Sequence, residues 1–399
     1  MVKILRGPFA FVTATMFLNF AWLSIIIPVI PYIVQHYTTN IALYVGLISS
    51  VAAFCQFLVS PFLGYLSDKF GRRPVVLLSL LGGAVGYVMF GLGGALWVLF
   101  LSRIIDGLSS GDTPAMYAYI ADVLPPHERG RYYGILGAAA GLGFMAGPAI
   151  GGLAAQISLS APFYVAAALA VANALWGSLV MPESLKDVDR VHGWKWQHIN
   201  PFTQFRSILT SFTLRVLFAA SLIFFIGLVM QQSNFSVFLK EIMHWGPTQI
   251  GIMLTVVGLV DFFAEGYLSG KLLSVLEDML VVGIGVTLTA VGMFLVGTVA
   301  LTASEVALYI GIIIYTLGDG LFEPAMTGLV SMAAGPHEQG RVQGGFQSIQ
   351  SIARVIAPLC AGYLYEMAAY LPYFSSMVLM GITLVILTYF SSKLVFERA

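Results

Sequence analysis

The chain has 399 residues, 58% of them hydrophobic and only 10% charged, with 19 basic and 19 acidic side chains and a formal net charge of zero. Soluble domains carry about 25% charged residues, so this chain cannot cover a water-facing surface, and a soluble enzyme, a secreted disulfide scaffold and a disordered chain are excluded. Nothing basic enough to grip nucleic acid is present, and the two cysteines, Cys55 and Cys360, sit in apolar runs that imply no oxidising compartment.

The fitting solvent is lipid, where a crossing needs about 20 mostly apolar residues. Twelve such runs follow in order: Phe9–Gln35, Ile41–Tyr65, Pro74–Leu92, Leu96–Val123, Tyr132–Ile157, Ala161–Met181, Leu214–Leu239, Thr248–Leu272, Met279–Ala300, Glu305–Ala333, Val342–Met367 and Leu371–Val395. Open sheet edges cannot face acyl chains, so the runs are predicted to be helices. The first is too long and too often interrupted by polar residues for a cleaved signal. With an even number of spans, Lys3, Arg6, Lys69, Arg72, Arg73, Arg129, Arg131, Lys186, Arg190, Lys195, Arg206, Arg215, Lys271, Arg341, Lys393 and Arg398 fall on one side and Lys240 alone on the other. That asymmetry places both termini in the cytoplasm.

The longest polar stretch, Pro182–Ser211, is read as a cytoplasmic linker between an N-terminal bundle (1–181) and a C-terminal bundle (212–399). Its His192, Trp194, Trp196 and His198 fit either a metal site or a segment lying on lipid headgroups. The histidine spacing matches no usual zinc pattern and tryptophan favours the interface, so no metal is expected. No cofactor is expected either.

Several spans carry residues that lipid alone would not select. The first holds Asn19 and Trp22 ahead of Pro28 and Pro31, and the second holds Gln56. The fourth carries Arg103, Asp106 and Asp112. The fifth is rich in glycine, with Gly134, Gly137, Gly141, Gly143, Gly147, Gly151 and Gly152 mostly three or four apart and Pro148 among them. Such a face lets helices approach closely, either as ordinary tight packing or as a sliding surface between the two bundles. The seventh span holds Gln231, Gln232, Asn234 and Phe235; the eighth, Asp261 and Glu265; the tenth, Asp319, Phe322 and Glu323; the eleventh, Gln347, Gln350 and Arg354.

Ionisable groups inside a membrane are expensive and therefore functional by default. Asp261/Glu265 and Asp319/Glu323 are each spaced i, i+4, which puts both members of a pair on one helix face. Carboxyls held near one another and near a cation can bind and release protons, as coupling to a proton gradient requires. Asp319 and Asp261 are the expected carriers, Glu323 and Glu265 assist, and Arg354 is a counter-charge that exchanges partners; a static ion pair is the alternative for each. The polar residues of spans one, two, seven and eleven, with Trp22, Tyr117, Met145, Phe235 and Phe322 as apolar wall, are expected to line a cavity, or else to pack in the core or against lipid. An acidic cavity with aromatic walls suits a lipophilic cation.

The two halves resemble each other. Gly64-Tyr65-Leu66-Ser67-Asp68-Lys69 recurs as Gly266-Tyr267-Leu268-Ser269-Gly270-Lys271. At a constant offset of 210, Pro114-Ala115-Met116 matches Pro324-Ala325-Met326, Pro126-His127-Glu128 matches Pro336-His337-Glu338, and Gly130, Arg131, Gly134, Pro148 and Gly152 match Gly340, Arg341, Gly344, Pro358 and Gly362. A parallel repeat of six spans predicts an all-α membrane protein of two pseudo-symmetric six-helix bundles, with substrate bound between them.

The run Gly64 to Pro74, with Asp68, Gly71, Arg72 and Arg73, resembles the loop signature of the major facilitator superfamily. Arg103 with Gly107 and Gly111 resembles its fourth-helix motif, and Gly143 to Gly152, through Gly147, Pro148 and Gly151, the fifth-helix motif of its antiporters. Asp68–Leu78, Arg129–Ala155 and Pro336–Pro358 are similar to the tetracycline-type branch of the twelve-helix drug:proton antiporters. The resemblance implies alternating access and a role for Arg103 and Asp106 in proton movement, with a local ion pair as the alternative. It also implies a latch in which Asp68 meets the start of helix 11, the arginines meet acids at neighbouring helix ends, and Gly64 permits close approach. Helices 1, 7 and 11 line the path. Two positions depart from that branch: Asn19 and Gly86 stand where it has membrane carboxylates, so tetracycline is not carried over as substrate.

The expected function is export of a small amphiphilic, cationic compound in exchange for protons, by a monomer whose partners are its substrate, protons and the bilayer. No phosphate-binding loop is visible, so ATP drive is not expected, and no enzyme constellation appears; His127 and His337 read as loop caps beside Glu128 and Glu338. The rivals are a metabolite or lipid carrier, an uncoupled facilitator, and a non-transporting receptor or scaffold.

Overall fold

The structure, a computed structural model, describes residues 7–185, 190, 211–334 and 338–391. The linker residues His192, Trp194, Trp196 and His198, the loop residues Pro336 and His337, and the basic residues Lys3, Arg6, Lys186, Lys195, Arg206, Lys393 and Arg398 lie outside that range, as do the side chains of His127 and Arg341.

Among the described residues the chain is helical, and ten helices are long and apolar enough to cross a membrane. The other two predicted spans differ for visible reasons. The fourth is split into α5 (Leu96–Leu108) and α6 (Asp112–Val123), and the eleventh, α14 (Gln339–Met367), carries Gln343, Gln347, Gln350 and Arg354. The first span is also divided, into α1 (Pro8–Ile25) and α2 (Ile30–Val34). Pro28 and Pro31 lack the N–H that a continuous helix needs, and residues 26–29 turn tightly through Ile27 N→Ser24 O (3.1 Å) and Val29 N→Ile26 O (3.0 Å).

The remaining helices of the first half are α3 (Ile41–Phe70), α4 (Arg72–Leu92), α7 (Pro126–Ala154) and α8 (Ala161–Val180). Gly71 makes the corner between α3 and α4 at φ +108°, a backbone conformation that side chains with a Cβ rarely adopt. The second half runs α9 (Phe212–Glu241), α10 (Pro247–Phe263), a π-helical turn (Ala264–Leu268), α11 (Ser269–Leu273), α12 (Asp278–Thr302), α13 (Glu305–Met332), α14 and α15 (Leu371–Phe390). Ser211 and Ser304 cap α9 and α13, accepting from Leu214 N and Ala307 N at 3.4 and 3.3 Å.

The packing repeats. In the first half α1 packs on α7 and α8, and α4 packs on α5 and α8; in the second α9 packs on α14 and α15, and α12 on α13 and α15. Spans one and seven, and spans three and nine, thus choose the same partners. The described residues of 1–37, 51–201 and 246–255 form one compact unit, and those of 38–50, 202–245 and 256–399 form another. Each unit therefore contains one borrowed helix start: α10 begins in the first, and α3 in the second.

Both borrowed starts are seated on repeat-related positions. In the first unit a Cβ on Gly251 would strike the carbonyl oxygen of Pro148, and one on Gly152 would lie 2.8 Å from Pro247 O. Thr248 Oγ1 donates to Gly152 O at 2.9 Å. In the second unit a Cβ on Gly46 would strike Pro358 O, and one on Gly362 would lie 2.8 Å from Ala42 O.

Candidate functional site

The second unit gathers the acids of spans eight and ten. Asp319 and Glu323 project from one stretch of α13, both partly buried. Asp261, near the end of α10, lies against α13: a Cβ on Gly320 would be 3.3 Å from its Oδ1. Asp319 interacts electrostatically with Asp261, Glu323 and Glu265. A π-helical turn, Ala264–Leu268, lies between Asp261 and the rest of the span and contains Glu265. The wide turn begins just after Phe263, with Asp261 partly buried and Glu265 exposed, and the two carboxyls remain within electrostatic range of each other.

Arg354 on α14 faces this cluster electrostatically through Glu323 and is exposed. No ion pair within 4.0 Å joins it to a described carboxylate. Gln350, one turn earlier and buried, donates from Nε2 to Glu323 Oε1 at 3.0 Å.

Beside the acids lies a run of buried polar atoms without hydrogen-bond partners. Gln231 and Asn234, both fully buried on α9, leave both amide atoms unpaired, and so do Thr316 Oγ1 and Asp319 Oδ1 on α13. Tyr315 stands within interaction range of Gln231, Thr316, Asp319 and Asp261. Each orphaned group costs about 1–3 kcal/mol if left dry, so this arrangement needs water or a ligand. Chemically it offers acceptors, amide donors and uncompensated acidity in one place.

The expected lining residues separate. Gln56, Gln232 and Gln347 are exposed, Tyr117 and Met145 partly buried. Phe322 is fully buried, stacked on Phe224 at 3.5 Å between centroids and edge-on to Phe225 at 6.0 Å, and Phe235 is 2% exposed. For these two phenylalanines the structure favours the core alternative over cavity wall: α13 closes on α9 through the Phe322–Phe224 stack, and both rings are buried.

In the first unit Arg103 pairs with Asp106 at 3.1 Å, one helical turn away, while its guanidinium lies over the rings of Tyr87 (5.1 Å) and Phe90 (5.0 Å). Asn19 Nδ2 donates to Thr113 Oγ1 at 2.9 Å and Trp22 is 5% exposed. Gly86 has no room for a side chain, because a Cβ would lie 2.9 Å from Ser102 O and 3.3 Å from Asp106 Cβ. An acid on this side of the bundle is therefore carried by α5, not by α4.

The loop after α3 is built on Arg72, which is 8% exposed. Its Nε donates to Asp122 Oδ2 at 2.9 Å and its Nη1 to Ser67 Oγ at 3.2 Å and to Asp68. The Glu183 carboxylate accepts Arg72 N at 2.8 Å and Arg73 N at 3.2 Å, filling the free N–H groups at the start of α4. Ser184 Oγ donates to Asp122 Oδ2 at 2.8 Å, and Arg73 Nη2 to Ser178 O. Here Asp68 is bound to Arg72, and among the described residues a Cβ on Gly64 would meet nothing within 4 Å.

The glycine face of α7 is resolved into parts. Cβ atoms on Gly143, Gly147 and Gly151 would collide with the α1 backbone at Phe17, Ala21 and Ile25; on Gly134, Gly137 and Gly141 they would meet nothing within 4 Å. The first three press α7 onto α1 inside the first unit, as the tight-packing alternative has it. Pro148, buried within α7, belongs to the contact with Gly251 instead.

The sequence reading missed Asp122, Glu183, Tyr315 and Thr316. Glu183 had a signal, an acid directly after Met181-Pro182 where span six ends. Thr316 and Tyr315 had none beyond their place one turn before Asp319.

Comparison with known proteins fits this geometry. The Major Facilitator Superfamily model matches residues 12–358 and 217–397. The class C tetracycline resistance protein of Escherichia coli is 31% identical over 363 residues, covering 90% of this chain and 89% of that protein. Multidrug resistance protein 2 of Bacillus subtilis is 28% identical over 390 residues, covering 94% of each. Among solved structures, the human organic anion transporter MFSD10 (TETRAN) aligns over 95% of this chain and 98% of its own at a TM-score of 0.72 and 22% identity, and a POT family transporter bound to 5-aminolevulinic acid over 96% of each at 0.78 and 14%. The duplicated six-span packing, the loop built on Arg72 and these matches lead to one statement: the chain is a non-enzymatic, multi-pass membrane transporter of the Major Facilitator Superfamily, similar to the tetracycline and multidrug resistance proteins.

Proposed function

We propose that the protein exports small amphiphilic, cationic compounds in exchange for protons, by alternating access between bundles 1–181 and 212–399 joined by the 182–211 linker. The observation that carries this is the acid cluster of the second unit, with Asp261, Asp319 and Glu323 beside the unpaired atoms of Gln231, Asn234 and Thr316. A cation entering there meets carboxylates and amide acceptors at once, and the same carboxylates take protons when it leaves. Competition for one set of negative charges is the simplest physical basis for antiport, because each ligand is favoured only in the absence of the other.

In this reading Asp319 and Asp261 are the proton carriers, Glu323 and Glu265 assist, and Arg354, which lacks a fixed partner, is the mobile counter-charge. The Arg103–Asp106 pair holds the break of the fourth span in place. The Asp68–Arg72–Asp122–Glu183 network and the Gly143/Gly147/Pro148/Gly151 face govern the conformational change. The protein works as a monomer in the cell membrane with both termini cytoplasmic, as the distribution of basic residues supports. The names of the tetracycline and multidrug resistance relatives support a drug-like cargo.

The test is substrate-dependent proton flux in proteoliposomes, using a panel of lipophilic cations and tetracyclines chosen by thermal shift. Asp319→Asn should abolish proton-driven transport while leaving substrate-induced stabilisation measurable, and Asp319→Glu should restore part of it. Full gradient-dependent transport by both Asp319→Asn and Asp261→Asn would falsify the assignment.

A further inference from the structure

We propose that the break in the fourth span is a binding site for one monovalent cation, Na+ or a hydrated proton. Between Leu108 and Asp112 the helix stops and restarts, through Gly111 N→Ser109 O (2.8 Å) and Ser110 N→Gly107 O (3.3 Å). Interrupted helices at membrane depth persist where they line a polar cavity, and their freed ends are recurring ion sites. A cavity of about 30 Å³ lies here, lined by Asn19, Ser79, Asp106, Ser109, Ser110 and Asp112, with Trp22 as wall. One water needs about 10–15 Å³, so the space suits a single small ion or two to three waters.

The charge count asks for an ion. Asp112 is 6% exposed, and its Oδ2 has no hydrogen-bond partner. The nearby Asp106 is matched by Arg103, whose guanidinium is held over Tyr87 and Phe90. One negative charge is left over. The backbone N–H groups of Asp112 and Thr113 reach this carboxylate, but a buried carboxylate with no cation opposite it stays costly, and one unit of positive charge at the unpartnered Oδ2 removes that cost; a divalent ion would overshoot it.

The remaining ligands are hard oxygens. The hydroxyls of Ser109 and Ser110 already donate to Ile105 O (2.7 Å) and Asp106 O (3.0 Å), which leaves their lone pairs for a cation. Asn19 Nδ2 donates to Thr113, so its carbonyl oxygen is the atom left for the cavity. The titratable or charged groups facing Asp112 are Asp106 and Arg103 from α5 and Tyr87 from α4; α1, α3 and α8 contribute Asn19, Trp22, Leu63 and Ala170, none of them charged. The site shares no residue with the acid cluster of the second unit, so it stands whether or not the export reading does.

The experiment is equilibrium binding on the full-length protein in nanodiscs, without transport. Radioactive Na+ binding and melting temperature are measured in NaCl against choline chloride at pH 8, and proton uptake is measured between pH 8 and 5 with an indicator dye. For a sodium site, one Na+ per chain binds, raises the melting temperature and is displaced by acid; Asp112→Asn abolishes it, Ser110→Ala weakens it at least tenfold, and Asp319→Asn leaves it intact. For a proton site, Na+ does nothing and Asp112→Asn takes up one proton fewer than wild type. The proposal is overturned if Asp112→Asn matches wild type in both readouts. If Asp112→Asn does not fold, Ser110→Ala decides, and unchanged Na+ affinity together with unchanged proton uptake in it overturns the proposal.

Discussion

Adding a single methyl group to α7 separates glycines that bear a contact from glycines that do not. A Cβ at Gly147 would strike Ser24 Oγ and Ala21 O and sit 3.0 Å from Ile25 N; one at Gly151 would strike Ile25 O and sit 2.8 Å from Ile25 C. Most of these obstacles are backbone, which cannot rotate aside, so α7 and α1 must separate. Overpacking of this kind costs about 1–3 kcal/mol. Alanine regains up to about 1 kcal/mol of helix propensity over glycine. Gly147→Ala and Gly151→Ala should therefore each be destabilising by about 1–2 kcal/mol. At Gly137 and Gly141 nothing lies within 4 Å, so only the propensity gain acts and alanine should be neutral or stabilising by about 0.5–1 kcal/mol. Both classes share the propensity gain, so they should differ by the overpacking cost, about 1–3 kcal/mol, or roughly 2–12 °C in Tm for a bundle of this size. Thermal unfolding of the four single variants in one detergent, followed by initial transport rates, measures both consequences. Equal Tm values for Gly141→Ala and Gly147→Ala would refute the argument that α1 and α7 meet backbone to backbone.

Three further outcomes follow from the geometry. Phe322→Ala removes the central ring of the Phe224–Phe225 stack and should cost about 3–5 kcal/mol in chemical denaturation, with substrate affinity of the surviving folded fraction unchanged. Replacing Gln231 and Asn234 together by leucine removes four unpaired amide atoms and should leave stability equal or higher; the same variant should lose ligand-induced thermal shift, and retention of that shift would exclude both amides from binding. Arg72→Ala leaves the Asp122 carboxylate with Ser184 alone and should cost about 1.5–3 kcal/mol, whereas Glu183→Gln keeps one acceptor for the α4 N-terminus and should cost about 1 kcal/mol or less; melting curves that rank the two in reverse would contradict the network described.

The spans were legible because lipid imposes a rule that composition alone reveals: long apolar runs, no open strands, and a basic bias on one side. The repeat was legible because the offset of 210 is constant across Pro114, Pro148 and Gly152. Interruptions were not. The run Ser109-Ser110-Gly111-Asp112-Thr113-Pro114 carries breaker residues, but a reading by apolar length passes over it as one span, and the apolar run around Glu265 reads as plain helix although it holds the wide turn. The acids themselves stood out, since so few charges occur in oil, but their orphaned neighbours Thr316 and Asn234 are ordinary polar residues whose role depends on which helix faces them. Phe322 and Phe235 show the converse: in sequence an aromatic residue near a polar site fits wall or core equally well by type, and only packing decides for the core.

The wide turn at Ala264–Leu268 amounts to one surplus residue stored in a transmembrane rod. A surplus of this kind can travel. Shifting it by one position toward the C-terminus reassigns a residue to ordinary winding, turns that side chain about 100° around the axis and moves its height by about 1.5 Å. Only one hydrogen bond is exchanged for another in the process. Glu265 sits on the segment that would swivel, so the rod carries its own crank, able to turn this carboxyl relative to Asp261 without bending the helix.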